Sequence, residues 1–179
     1  CMLSLLKYDK GTIQLFGSEM SPDNYAVKKQ IGIVLQNVAV FDELTVYENI
    51  DYFCGLYIPD KKKRKQLVEE AMEFTGLEDF RKMRPKKLSG GLLRRLNIAC
   101  GIAHKPRLII MDEPFVGLDP KASHILKGMM REVCDEGGAI FFSTHVLEVA
   151  EKLCDKVAII KGGRLIRSGT MEEVKGDDS

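Results

Sequence analysis

Asp112 and Glu113 close an apolar run, Leu108-Ile109-Ile110-Met111. Such a run reads as a strand of a buried parallel sheet. Its acids then emerge at the C-terminal strand end, where open α/β sheets bind ligands. Two adjacent carboxylates there suit a metal–nucleotide. Asp112 can hold Mg²⁺ through water, and Glu113 can orient and deprotonate an attacking water. The same pair also fits a solvated strand end. Gln36 ends a second apolar run, "QIGIVLQ", and His145 follows a third, "AIFFST". A glutamine amide can contact Mg²⁺ or water, and an imidazole can donate to a phosphate oxygen. Taken alone, a single histidine is more often structural.

Ser89-Gly90-Gly91 precedes a helical pattern. Glycines there let a ligand approach the backbone, and free N–H groups with the helix dipole favour an anion. Ser89 can both cap and donate, although an ordinary Ser-Gly helix start has the same composition. Gly162-Gly163 contrasts with it, because no helix follows and the pair is a turn. A nucleotide also calls for a glycine-rich loop ending in Lys-Ser/Thr. No such loop occurs in these 179 residues.

The elements that must position these residues are legible in outline. "CMLSLLKYDKG" places Met2, Leu3, Leu5 and Leu6 in helical register, with Gly11 as a stop. "TIQLFG" reads as a short strand, followed by a polar loop through Ser21-Pro22-Asp23, and "QIGIVLQ" as a second strand. In "LTVYENIDYFCGLY", Thr45 and Glu48 form a capping box, and Pro59-Asp60 breaks the helix. The next helix gathers Leu67, Val68, Ala71 and Met72 on one face and ends at Gly76. A basic loop, "FRKMRPKK", leads to a helix over 92–103 closed by Pro106. Strand 108–112 follows. Asp119 then caps a helix with Pro120 at its first position and Ala122, Ile125, Leu126, Met129 and Val133 inward. "AIFFSTH" is a strand, Val146 to Leu153 a helix, and 157–169 a hairpin turning at Gly162-Gly163. Strand and helix alternate in the later half, which predicts an α/β fold with a parallel sheet. Residues 42–103 carry no strand signal and read as a helical insertion.

Composition narrows the function. Lys+Arg 27 against Asp+Glu 26 leaves a net charge of +1, which argues against a dedicated nucleic-acid binder. The five cysteines lack CxxC or zinc-ligand spacing and read as reduced thiols, mostly buried. No apolar run approaches the ~18 residues of a membrane span. The run Lys61-Lys62-Lys63-Arg64-Lys65 reads as a solvated helix start rather than a lipid contact.

Order then adds what single motifs lack. Gln36, "LSGG" at 88–91, "LIIMDE" at 108–113, "GLD" at 117–119 and "STH" at 143–145 follow one another as in ATP-binding-cassette (ABC) ATPases. The chain resembles that family from its first residue to about residue 175. The resemblance implies a RecA-like P-loop NTPase core with a mostly parallel sheet, a partial antiparallel β subdomain and an inserted α-helical subdomain. The core would span 1–41 and 104–179, and the helical signature subdomain 42–103. It implies ATP and Mg²⁺, with Asp112 and Gln36 at the metal. Glu113, His145 and Gln36 would serve hydrolysis. Ser89, Gly90, Gly91 and Asp119 would contact nucleotide across a dimer of two cassettes. A transmembrane permease subunit would be the partner, at the cytoplasmic face of the membrane, with no nucleic acid. Leu92 stands where glutamine is usual, and Phe115-Val116 where Thr-Ser is commoner.

In this family the phosphate loop starts a helix whose end "CMLSLLKYDKG" resembles, so the expected loop lies a few residues before Cys1. The chain as written would then be inactive, and the longer protein an ATPase. "LTVYENIDYFCGLY" resembles the segment after the Q-loop in exporter-type cassettes. Two other readings remain. One is a soluble ABC-type ATPase, disfavoured because about fifty residues between Gln36 and the signature leave no room for long coiled coils. The other is a non-catalytic module, disfavoured because Glu113 and His145 are intact.

Overall fold

A computed structural model describes residues 9–176. The helix expected over residues 2–6 lies outside the described residues. The chain divides into two compact units, residues 1–142 and 143–179.

The first unit opens with a hairpin of β1 (Gln14–Leu15) and β2 (Ser18–Glu19). Phe16 (φ 54°) and Gly17 (φ 75°) form its turn, both in the left-handed region. The sequence reading placed a strand at 12–17 but not its return, because Phe-Gly lacks the Asn or Asp that usually announces such turns. A short helix α1 (Tyr25–Lys28), capped by Asn24, leads into β3 (Ile31–Val34).

Between β3 and β4 (Leu108–Asp112) there are helices and 3₁₀ turns but no strand. Helix α2 (Val46–Gly55) carries the expected capping box: Thr45 Oγ1 accepts from Glu48 N, and Glu48 Oε2 accepts from Thr45 N. Helix α3 (Lys61–Thr75) is capped by Asp60 and stopped by Gly76 at φ 62°. Within its basic start, Arg64 Nε pairs with Asp51 at 2.8 Å. Two 3₁₀ turns, at 78–80 and 85–87, replace the expected open loop. Helix α4 (Gly90–Ile102) begins two residues earlier than the apolar pattern suggested, because Ser89 caps it. Val46, Ile50, Cys54, Val68, Met72, Leu77 and Leu96 bury one shared core among α2, α3 and α4. Asn49 is buried within it. Its amide accepts from Phe41 N and donates to the carbonyls of Phe41, Leu44 and Thr45, fixing the loop ahead of α2.

β3 pairs with β4 in parallel, Ile31 opposite Leu108 and Val34 opposite Met111. β5 (Ala139–Ser143) lies on the other side of β4, with Ala139 N donating to Arg107 O at the strand starts. Helix α5 (Pro120–Asp135), capped by Asp119, joins β4 to β5. Its Leu126, Met129 and Met130 gather with Ile109, Met111 and Ile98 around one small gap. On the opposite sheet face, Ile110 packs against Met20, Val27 and Ile31. Helix α4 crosses β3 at two glycines. A Cβ on Gly101 would lie 2.8 Å from Ile33 O, and one on Gly32 would overlap Gly101 O.

The second unit contains α6 (Leu147–Leu153), the antiparallel hairpin β6 (Val157–Lys161) and β7 (Arg164–Gly169), and α7 (Met171–Lys175). The hairpin turns at Gly162-Gly163, as expected, and carries an irregularity at Ile159/Ile160. Lys175 pairs with Glu151. Among the described residues no helix is long and apolar enough to cross a membrane. Cys54 and Cys100 are buried, and burial pushes both thiols up, Cys54 to about 11. Cys134 is exposed, so burial does not cover every thiol.

Candidate functional site

The parallel register sets the first cluster. Val34 lies opposite Met111, so Gln36 and Glu113 each leave the sheet two residues beyond a matched pair. Gln36 and Asp112 are exposed, and Glu113 is half-buried. Buried Pro114 follows, and Glu113 itself holds a φ of 43°. A glutamate in the left-handed region is an uncommon, strained conformation that costs of the order of 1 kcal/mol or more. The bend turns the chain sharply at the end of β4, and a carboxylate stands at the bend.

Helix N-termini set the second cluster. Ser89 Oγ accepts from Leu92 N at 3.3 Å, and Gly90 opens α4. Asp119 Oδ1 accepts from Ala122 N at 2.8 Å, and Pro120 opens α5. The two starts adjoin: a Cβ on Gly91 would lie 3.3 Å from Ala122 Cβ and 3.8 Å from Asp119 Oδ2. Ser89 and Gly90 are exposed. As a cap, Ser89 uses its oxygen as acceptor and keeps its hydroxyl proton for donation.

His145 belongs to the second unit and is exposed. It follows β5 by two residues, and the turn around it is held by Val146 N donating to Thr144 Oγ1 at 3.1 Å.

Two residues missed from the sequence join the first cluster. Arg94 Nη1 donates to Leu35 O at 2.6 Å and to Gln36 O at 3.0 Å. Asn97 Nδ2 donates to Leu35 O at 3.0 Å, and its Oδ1 accepts from Ala39 N at 3.4 Å. Both side chains are about 5% exposed. Burial holds the Arg94 pKa below the ordinary guanidinium value, opposed by the Asp112 carboxylate. The available signal was helical spacing: Arg94, Asn97 and Gly101 share one face, and a glycine on a helix face marks a close backbone approach.

The donor set suits a hard cation in part. Among the described residues no group of three His, Cys, Asp or Glu side chains could hold a metal. Asp112 and Gln36 offer oxygen ligands alone. Mg²⁺ is commonly held by one or two carboxylates plus substrate phosphates, so this set fits Mg²⁺ delivered with a nucleotide.

A family model described as "ABC transporter" matches residues 1–116. The linearmycin resistance ATP-binding protein LnrL of Bacillus subtilis (strain 168) is 33% identical over 95% of this chain and 55% of its own length. The Nod factor export ATP-binding protein I of Rhizobium sp. (strain N33) is 34% identical over 94% of this chain and 56% of its own. The chain therefore spans little more than half the length of these relatives. Among solved structures, cbiO1 from Clostridium perfringens superposes with a TM-score of 0.86 at 26% identity, over 97% of this chain and 71% of that one. Its fold is a RecA-like ABC ATPase fold, as the sequence predicted.

Proposed function

The chain belongs to the ABC transporter family, and on that premise we propose that it is the ATP-binding and hydrolysing part of an export-type transporter. The observation that carries this reading is the β3–β4 register, which sends Gln36 and the Asp112–Glu113 pair off one end of the sheet. Glu113 takes the general-base role: it orients the attacking water and accepts its proton. Asp112 and the Gln36 amide are the metal-side ligands. When bound, Mg²⁺ neutralises charge on the β- and γ-phosphates. His145 donates to a γ-phosphate oxygen. Ser89 and the N–H groups of Gly90 and Gly91 offer anion contacts at the start of α4, to a nucleotide held by a second cassette. Asp119 braces that start from the neighbouring helix. The division of labour follows: 1–41 and 104–179 form the ATPase core, and 42–103 the helical signature subdomain.

The partners are a second cassette and a transmembrane permease, with no nucleic acid, at the cytoplasmic face of the membrane. The cbiO1 structure is described as part of the ABC transporter complex cbiONQ, and the Rhizobium relative is named for export. Both support a permease partner. Phe41, Tyr52 and Leu56 are 42%, 48% and 60% exposed, and the Phe41 and Tyr52 rings meet edge-on at 4.9 Å. Phe41 follows Gln36 closely in the chain, and its exposed edge-on pair with Tyr52 suits a permease segment.

Substitution Glu113→Gln in the full-length chain tests the reading. ATP binding is retained and steady-state hydrolysis falls by about 10²-fold or more, as expected for loss of a general base. Turnover near the wild-type rate would remove Glu113 from this role.

A further inference from the structure

Arg94 is buried in α4 with only part of its fork in use. Nη1 serves Leu35 O and Gln36 O. Nε and Nη2 are buried without a hydrogen-bond partner among the described residues. Buried guanidinium groups are ordinarily paired on all sides, and a methionine of similar volume would fill this space without the desolvation cost. Arg94 is thus poorly suited to stability alone. What it does supply is geometry, because its Nη1 donates to two successive carbonyls and Asn97 grips the same segment one turn later. The Asp112 carboxylate favours its cationic form, against the larger effect of burial.

We propose that Arg94 is a positioning residue for hydrolysis: it ties the segment bearing Gln36 to the helix whose first turn carries Gly90 and Gly91. The inference rests on the ATPase reading above and deepens it. Arg94 touches the main chain of Leu35 and Gln36, so it acts through Gln36. A shift of α4, whose start is the proposed anion-contacting end, is delivered to the Leu35 and Gln36 carbonyls through one hydrogen bond each, of 2.6 and 3.0 Å. The amide of Gln36 turns with its own backbone.

A double-mutant cycle in the full-length chain tests this. Turnover, KM for Mg-ATP and affinity for a fluorescent ATP analogue are measured for wild type, Arg94→Met, Gln36→Ala and the double variant. Hydrogen exchange is followed at the amides of 37–39. In the wild-type background, Arg94→Met lowers kcat by roughly ten-fold, as expected for a lost positioning contact, with KM changed by no more than about two-fold. Exchange at 37–39 accelerates. In the Gln36→Ala background the same substitution costs little more, because residues acting through one another are non-additive. Arg94→Gln, which keeps amide donors, recovers part of the rate. If Arg94→Met does not fold, Arg94→Gln takes its place in the cycle, with the same two outcomes. An equal fold-loss in both backgrounds overturns the inference and leaves the ATPase reading standing. Wild-type turnover in Gln36→Ala overturns the inference together with the part assigned to Gln36. An inactive wild-type chain overturns the ATPase reading on which both rest.

Discussion

His104 shows how far one side chain's environment departs from its sequence context. Its ring stacks on Tyr57 at 3.9 Å, Nε2 lies 3.2 Å from Ile31 O, and Nδ1 is buried without a partner among the described residues. Burial lowers its pKa below the ordinary value of 6.5. The sign of the linkage follows. The unfolded chain takes up a proton at His104 as pH falls past about 6.5, while the folded chain resists it. Stability from this site is therefore complete above that pH and declines below it. Substitution His104→Phe, which keeps a stacking ring and cannot titrate, flattens the unfolding midpoint between about pH 7 and pH 5 relative to wild type. Parallel profiles would mean that His104 does not titrate differently in the folded state. The sequence alone did not single out His104, because its partners are Ile31, 73 residues away, and Tyr57. The strand-end acids were legible for the opposite reason. An apolar run ending in two carboxylates is a local pattern, whereas the left-handed φ of Glu113 is not written in any neighbouring residue type.

Between elements, the tightest constraint is the crossing of α4 over β3. Gly32 and Gly101 let the helix backbone rest on the strand, and Pro106 Cγ would lie 2.7 Å from a Cβ on Gly32. The neighbours there are backbone and a proline ring, which cannot swing aside. Substitution Gly32→Ala should lower stability by about 1–3 kcal/mol, the usual cost of overpacking. Thermal unfolding checks it, and an unchanged midpoint would mean that the crossing is looser than described. The same crossing aims Arg94 and Asn97 at the Gln36 segment, so a stability change here carries a cost to the site as well. Helix bounds were readable where caps are local, as at Thr45–Glu48 and Asp119. The β1–β2 return and α1 were not, because each is short and held by contacts beyond its own residues. Asn24 illustrates this: it caps α1 and also donates to Glu19 O. Arg94 escaped notice because a cation in a helix normally points to water, and its acceptors lie 58 and 59 residues away.

For the whole molecule, the account turns on a second copy. Within one chain the start of α4 carries Gly90 and Gly91 beside Asp119, while Gln36, Asp112 and Glu113 lie at strand ends. If one chain's Ser89 completes the nucleotide site of another, ATP joins two chains and hydrolysis releases them. Blocking the base then arrests the joined state. The most direct measurement is the mass, by light scattering, of the full-length Glu113→Gln protein with and without Mg-ATP. The account predicts twice the monomer mass with Mg-ATP and the monomer mass without it. A monomer that persists while ATP is demonstrably bound would contradict it.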